Sequence, residues 1–152
     1  MPKILVDSIQ PKLGSDYPSP FGQPLAGREA RNVGAGVGVE DFNANHVILP
    51  PGCWSSQRHW HAGEDELVVI LSGKAVLIDD TGRHPLEAGD IAVFPKNDGN
   101  GHHLINESEA TCVLLAISRP EMSPVVYPDI DLRWAPDTGE THADGSPYRK
   151  AT

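Results

Sequence analysis

Glu66-Leu67-Val68-Val69-Ile70-Leu71-Ser72-Gly73, followed by Lys74-Ala75-Val76-Leu77-Ile78-Asp79-Asp80-Thr81-Gly82, is the stretch that decides the fold class. Its first apolar run is β-branched, of strand length, and stops at Ser72-Gly73. A second apolar run follows at once and ends in Asp79-Asp80-Thr81-Gly82, where Asp and Gly serve turn geometry. Outward from this pair the punctuation repeats. His46-Val47-Ile48-Leu49 is stopped by Pro50-Pro51-Gly52, and Ile91-Ala92-Val93-Phe94 by Pro95. His103-Leu104-Ile105 and Thr111-Cys112-Val113-Leu114-Leu115-Ala116-Ile117 complete the series. Short strands at such regular spacing predict an all-β sandwich or barrel. No window carries a 3.6-residue period, and there is no internal repeat. Fifteen glycines and fourteen prolines, about 19% of 152 residues against roughly 12% on average, exclude a helical bundle.

The strands occupy residues 46–119, read as the core of one domain. Residues 1–45 read as an irregular arm with short strands. Asp16-Tyr17-Pro18-Ser19-Pro20-Phe21-Gly22 suits neither helix nor central strand. Gly34, Gly36 and Gly38 alternate with small apolar residues and predict a small-residue strand. Residues 120–152 hold five prolines but also Tyr127, Trp134 and Tyr148. Disordered tails are poor in aromatics, so an extended tail packed on the barrel or on a partner subunit is expected, frayed over its last few residues.

Composition narrows the function. Twelve basic and 21 acidic residues give a net charge of −9, which argues against nucleic acid and anionic membranes as partners. No stretch has the apolar length of a membrane span. The apolar run Ile4-Leu5-Val6 is too short for a signal peptide, so a cytoplasmic protein is expected. On that reading the acceptor pattern Asn106-Glu107-Ser108 carries no meaning. Cys53 and Cys112 are too few for a disulfide framework or a thiolate zinc site and are expected in the core.

The chemistry lies in two histidine groups, His59-Trp60-His61 with Glu64-Asp65-Glu66 after it, and His102-His103. On an extended strand His59 and His61 share a face. After a short turn Glu66 returns over the same point, and a third imidazole from a distant strand would close the set. Nitrogen and oxygen donors without thiolate suit Zn, Fe, Mn, Ni or Co. Three His and one carboxylate leave open positions, the mark of a catalytic or ligand-binding ion. Glu64 and Asp65 are expected in a solvated turn. Adjacent strand residues face opposite ways, so His102 and His103 do not both ligate; His103 is placed in the outer layer. Gln57, two residues before His59, faces the interior, either as a ligand-orienting group or as a satisfied core amide. His46, His84 and His142 have no partner pattern and read as strand, hairpin and tail residues. Asp80-Thr81-Gly82 and Asp137-Thr138-Gly139 read as turns.

The two groups sit in longer patterns. The first is Gly52, six residues, His59-Trp60-His61, four residues, Glu66, six residues, Gly73. The second is Gly89-Asp90, four residues, Pro95, then Gly99-Asn100-Gly101-His102, three residues, Asn106. Together they resemble the two signature motifs of the cupin superfamily over about residues 52–106. The resemblance implies a double-stranded β-helix barrel, with His59, His61, Glu66 and His102 as ligands of one divalent transition metal ion. Two spacings depart from the family: one extra residue before His59, and a loop after Pro95 longer by two. Neither displaces a ligand. His-Trp-His-x-x-Glu-Asp-Glu, with Tyr127-Pro128-Asp129-Ile130-Asp131-Leu132 and Asp144-Gly145-Ser146-Pro147-Tyr148, resembles small bacterial cupins termed sugar-isomerase-like or regulator-like. The implied function is an enzyme acting on a small oxygen-bearing metabolite by isomerase, lyase or dioxygenase chemistry, with Gln57, Glu64 and His103 as candidates for proton transfer. A non-catalytic metal-dependent sensor is the alternative. A small-molecule ligand and a homodimer are the expected partners.

Overall fold

The computed structural model describes residues 3–120 and 122–148. Strands dominate, and among the described residues the only helical pieces are the single 3-10 turns Val6–Ser8, Gln23–Leu25 and Ala35–Val37. In chain order the strands are β1 (Lys12–Leu13), β2 (Glu29–Asn32), β3 (Asn43–Leu49), β4 (Trp60–His61), β5 (Glu66–Ser72), β6 (Lys74–Asp79) and β7 (Gly82–Glu87). They continue with β8 (Ile91–Phe94), β9 (His103–Ile105), β10 (Cys112–Ser118), β11 (Val125–Tyr127), β12 (Leu132–Ala135) and β13 (Gly139–Thr141).

Every pairing between these strands is antiparallel. β1-β2-β3-β10-β5-β8 form a six-stranded sheet, β7-β6-β9 a three-stranded sheet, and β13-β12-β11-β4 a four-stranded sheet. Val47 and Leu49, Val68 and Ile70, Ala92 and Phe94, and Cys112 and Leu114 turn inward from the first sheet. Ala75, Leu77 and Leu104 meet them from the second. This period-2 burial is what the sequence pattern predicts. The result is an all-β, double-stranded β-helix barrel around one core.

Both flanks join the sheets. The arm extends the six-stranded sheet through β1 and β2, Ala30 opposing Val47. The tail pairs β11 with β4, Val125 opposite His61 and Val126 opposite Trp60. Val125, Tyr127 and Leu132 form a second buried cluster, with Tyr17, Phe21, Trp134 and Tyr148 packed against it. The last four residues, where fraying is expected, lie outside the described residues.

Gly73 makes the turn between β5 and β6 at a φ of +77°, a backbone region that disfavours side chains. A Cβ there would stand 2.4 Å from the Thr111 carbonyl oxygen. The small-residue strand expected at 34–38 is instead the turn Ala35–Val37. Asn32 Oδ1 accepts from the amides of Gly34 and Ala35 at 3.1 and 3.0 Å, and this side-chain cap competes with strand pairing. Asn106 has a buried side chain whose amide donates to the carbonyls of Leu49 and Ala110. Asp79 Oδ1 accepts from the backbone of Thr81 and Gly82, which makes the first Asp-Thr-Gly triplet a turn.

Candidate metal centre

Backbone pairing brings the two histidine groups together. His59 and His102 form an antiparallel bridge with reciprocal N–H···O bonds of 3.2 and 2.9 Å. The His59 and His102 rings lie 4.9 Å apart, as do those of His59 and His61. Glu66, the first residue of β5, reaches into this group. Its Oε1 is 3.2 Å from His61 Nε2; its Oε2 is 2.9 Å from His102 Nε2 and 3.7 Å from His59 Nε2. Donor atoms of His59, His61 and Glu66 lie within 4.8 Å of one another, a cluster that could hold a metal ion. His102 stands beside it, on the same carboxylate.

Two of the rings are oriented through their other nitrogen. His59 Nδ1 faces the Gln57 carbonyl at 2.8 Å. His102 Nδ1 faces the Asn100 carbonyl at 3.4 Å. His61 Nδ1 lies 3.0 Å from Glu64 Oε2, off the line of a good hydrogen bond. An oxygen acceptor on Nδ1 puts the proton there and leaves a lone pair on Nε2. Two such lone pairs, with His61 Nε2 beside them, face a carboxylate, and acceptors so placed repel one another unless a proton or a cation lies between them. The donor set therefore fits a divalent cation without thiolate preference.

The surroundings set the charges. Burial alone would raise the Glu66 pKa, but hydrogen bonds from His102, His59 and His61 hold it well below the usual carboxylate range. Burial works against a charge on His61, yet Glu66 and Glu64 keep its pKa above the ordinary imidazole value. His102 is held below that value by burial, and its ring stacks on Phe94 at 3.6 Å. Both phenols near the site, Tyr17 and Tyr127, are pushed up by burial and stay protonated. Tyr127 lies 5.9 Å from the His59 ring, centroid to centroid.

Two expectations change. Glu64 is not in a solvated turn: its side chain is 14% exposed and lies against His61, because the tail closes over this loop. Gly63 N–H donates to Ser123 Oγ at 3.0 Å and Ala62 N–H to the Pro124 carbonyl at 3.0 Å. His103 is not in an outer layer: it is buried, edge-on to Trp54 at 4.7 Å, with Nδ1 3.0 Å from the Ser56 carbonyl. The segment around Trp54 and Ser56 folds over the ring, so the face expected to be outside is covered. Cys53 and Cys112 are buried free thiols of the core, as expected. Gln57 takes the satisfied-amide role, its Nε2 donating to the Phe21 carbonyl at 2.6 Å. His84 bonds Asp79 and Thr81 in its hairpin, and His142 bonds Asp131 in the tail.

His59, Glu66, His102 and His103 line a cavity of about 230 Å³ floored by Val68 and Leu114. Arg28 and Asn45 also reach it. Sequence reasoning passed over both, and Phe94 and Tyr127 as well. Only the aromatic content of the tail and the apolar residue before Pro95 were signals for the last two.

A double-stranded β-helix barrel carrying a histidine and carboxylate cluster that could hold a metal ion is the architecture of a cupin. The family model described as "Cupin domain" matches residues 45–118. The sugar phosphate isomerase of the cupin superfamily from Silicibacter pomeroyi is 37% identical over 97% of both chains, with a TM-score of 0.90. This chain belongs to the cupin superfamily. A candidate sugar phosphate isomerase from Acidithiobacillus ferrooxidans is 27% identical over 84% of this chain and 82% of its own, with a TM-score of 0.72. The polyketide cyclase RemF from Streptomyces resistomycificus covers 86% of this chain and 87% of its own at a TM-score of 0.70. At 17% identity that last likeness shows the fold alone. A comparison with curated proteins gives no match. Among the described residues, no helix is long and apolar enough to cross a membrane.

Proposed function

We propose that His59, His61, Glu66 and His102 hold one divalent transition metal ion, and that the chain is an enzyme isomerising a small hydroxy-carbonyl metabolite of the sugar phosphate class. The observation that carries this reading is the convergence of three Nε2 atoms on Glu66, with the His59 and His102 rings held from behind by backbone carbonyls. Likeness to the Silicibacter pomeroyi isomerase supports the substrate class. When bound, such an ion supplies Lewis acidity to a carbonyl or hydroxyl oxygen. The residues around it do the rest. Val68, Phe94 and Leu114 make the inner wall apolar and exclude water from the reacting carbons. His103 lines the cavity, and its Nδ1–H is committed to Ser56, so Nε2 is the basic atom. We assign His103 the transfer of a proton between neighbouring carbons. Glu64 positions His61.

A homodimer accords with Leu71, Ile91 and Val93, which expose apolar side chains on neighbouring strands of the six-stranded sheet.

The first experiment is elemental analysis of untagged protein purified from its native source, followed by an aldose–ketose interconversion assay on small sugar phosphates. About one metal ion per chain and turnover are expected. His103→Gln is expected to keep the metal and lose about 100-fold in kcat, the usual worth of a general acid–base group. Protein without metal, or a His103→Gln variant of full activity, overturns the corresponding assignment.

A further inference from the structure

The metal-centre cavity shares lining residues with a larger one. Arg28, Asn45, Ser55 and Ser56 line both, and the second, of about 610 Å³, is completed by arm and tail residues including Ser15, Tyr17, Tyr127 and Glu140. Together they have the size of a small-molecule site.

Arg28 stands at the junction, and its backbone fixes it there. Its N–H donates to the Leu25 carbonyl at 2.9 Å, and its carbonyl accepts from Gly14 N–H at 2.8 Å. A guanidinium carries five N–H donors. Among the described residues Arg28 uses one side-chain donor, from Nη1 to the Gly14 carbonyl at a long 3.4 Å. Its Nε is shut off from solvent and has no partner. The contrast with other arginines is clear: Arg31 pairs with Glu29, Arg58 with Asp129 and Arg83 with Glu107. Among the described residues no carboxylate lies within ion-pair distance of Arg28, although burial works against its charge. Ser15 Oγ, on the same cavity, is likewise buried and unpartnered. A half-buried guanidinium on the wall of two cavities, with its Nε sealed and unpartnered and no carboxylate beside it, is a site built for something absent from the chain itself.

We propose that Arg28 anchors the oxyanionic end of the substrate, with Ser15 Oγ as a neutral partner, and so points the rest of the molecule at the metal centre. The proposal rests on the reading that the metal-centre cavity takes a small metabolite. Planar bidentate geometry suits a phosphoryl or a carboxylate group. The remaining charges on the larger cavity sharpen the polarity. Lys12 and Asp16 neutralise each other. Glu140 lies out of ion-pair contact with Arg28, which leaves the Arg28 end as the electropositive one.

The test is calorimetric titration of the full chain with inorganic phosphate and, separately, acetate. It compares wild type, Arg28→Gln and His61→Ala, alongside ¹⁵N spectra of the Arg28 Nε–H in wild type. Phosphate is expected to bind wild type and His61→Ala alike and to bind Arg28→Gln at least about tenfold more weakly, the loss of one charge-assisted contact. The Arg28 Nε resonance is expected to move on titration, a readout that stands even if Arg28→Gln folds poorly. Acetate binding tighter than phosphate would make the group a carboxylate and keep the anchor. Equal phosphate binding by wild type and Arg28→Gln with a static Nε signal would overturn the proposal. So would a loss confined to His61→Ala, or no binding of either anion. If wild type holds no metal while phosphate still moves the Arg28 signal, the metal-enzyme reading falls and the anion site remains.

Discussion

The two adjoining cavities are built in different ways. Around the metal centre, His59, His61 and Glu66 come from eight consecutive residues, and His102 is delivered by a backbone bridge to His59. Their geometry is set locally: a two-residue alternation, a short turn and one strand pairing. The Arg28 cavity draws on Ser15, Arg28, Asn45, Tyr127 and Glu140, from the arm, the barrel and the tail. Its shape exists only when all three have docked. A cluster written into one strand pair depends on its own side chains; a cavity assembled from distant segments depends on the packing of everything between them.

The widest test of that difference is His61→Ala. Removing this donor is expected to abolish metal binding and leave the larger cavity folded. Metal held at a thousand times its dissociation constant adds about 4 kcal/mol to stability, so loss of the ion lowers the melting temperature by that measure. Elemental analysis and thermal melts with and without chelator read it. Full metal content with an unchanged melt would show that the cluster is not the site.

Leu132→Ala attacks the other region. Leu132 is fully buried in the tail cluster. Truncation there is expected to cost about 2–4 kcal/mol, the range for buried leucines. Denaturant melts should show that loss while metal stoichiometry stays at the wild-type value. Loss of metal together with stability would mean that β11 on β4 carries the centre, and the two regions would be one unit.

The same difference explains what the sequence made legible. Strand punctuation and inward alternation at Val47, Leu49, Val68 and Ile70 follow from local pattern, and the barrel could be read from them. The convergence of His59, His61, Glu66 and His102 on one point was legible from spacing and family resemblance. The roles that depended on irregular backbone were not. Alternation put His103 outside, but the segment around Trp54 and Ser56 covers that face, and the histidine is buried. Glu64 read as solvated because nothing in its neighbourhood announces that residues 123–124 fold over it. Arg28 looked like any surface arginine. Its backbone and side chain are held by Gly14 and Leu25, and tail residues complete the cavity it lines, an arrangement that no periodicity encodes.

The smallest effect lies at the tie between the two regions. Arg58 forms a bidentate pair with Asp129 in the tail, both bonds at 2.7 Å, and also reaches Asp80 and the Gly101 carbonyl. It thereby links the entry to β4, the β6–β7 hairpin, the loop before His102 and the tail. The Arg58 guanidinium holds Asp129 below its ordinary carboxylate value. A carboxylate depressed in the folded state stabilises above its unfolded pKa of roughly 3.9, and that contribution fades as pH falls through the lower folded value. The Asp129 side chain is 54% exposed, so solvent screens the pair and less than about 1 kcal/mol is expected. Asp129→Asn leaves Arg58 with Asp80 and Gly101 as partners. The variant should therefore be slightly less stable than wild type at pH 7, with a gap that closes on acidification and narrows in 1 M salt. Urea melts across that pH range measure it. A gap independent of pH would mean that Asp129 ties the tail by shape, and charge would have no part in joining the two regions.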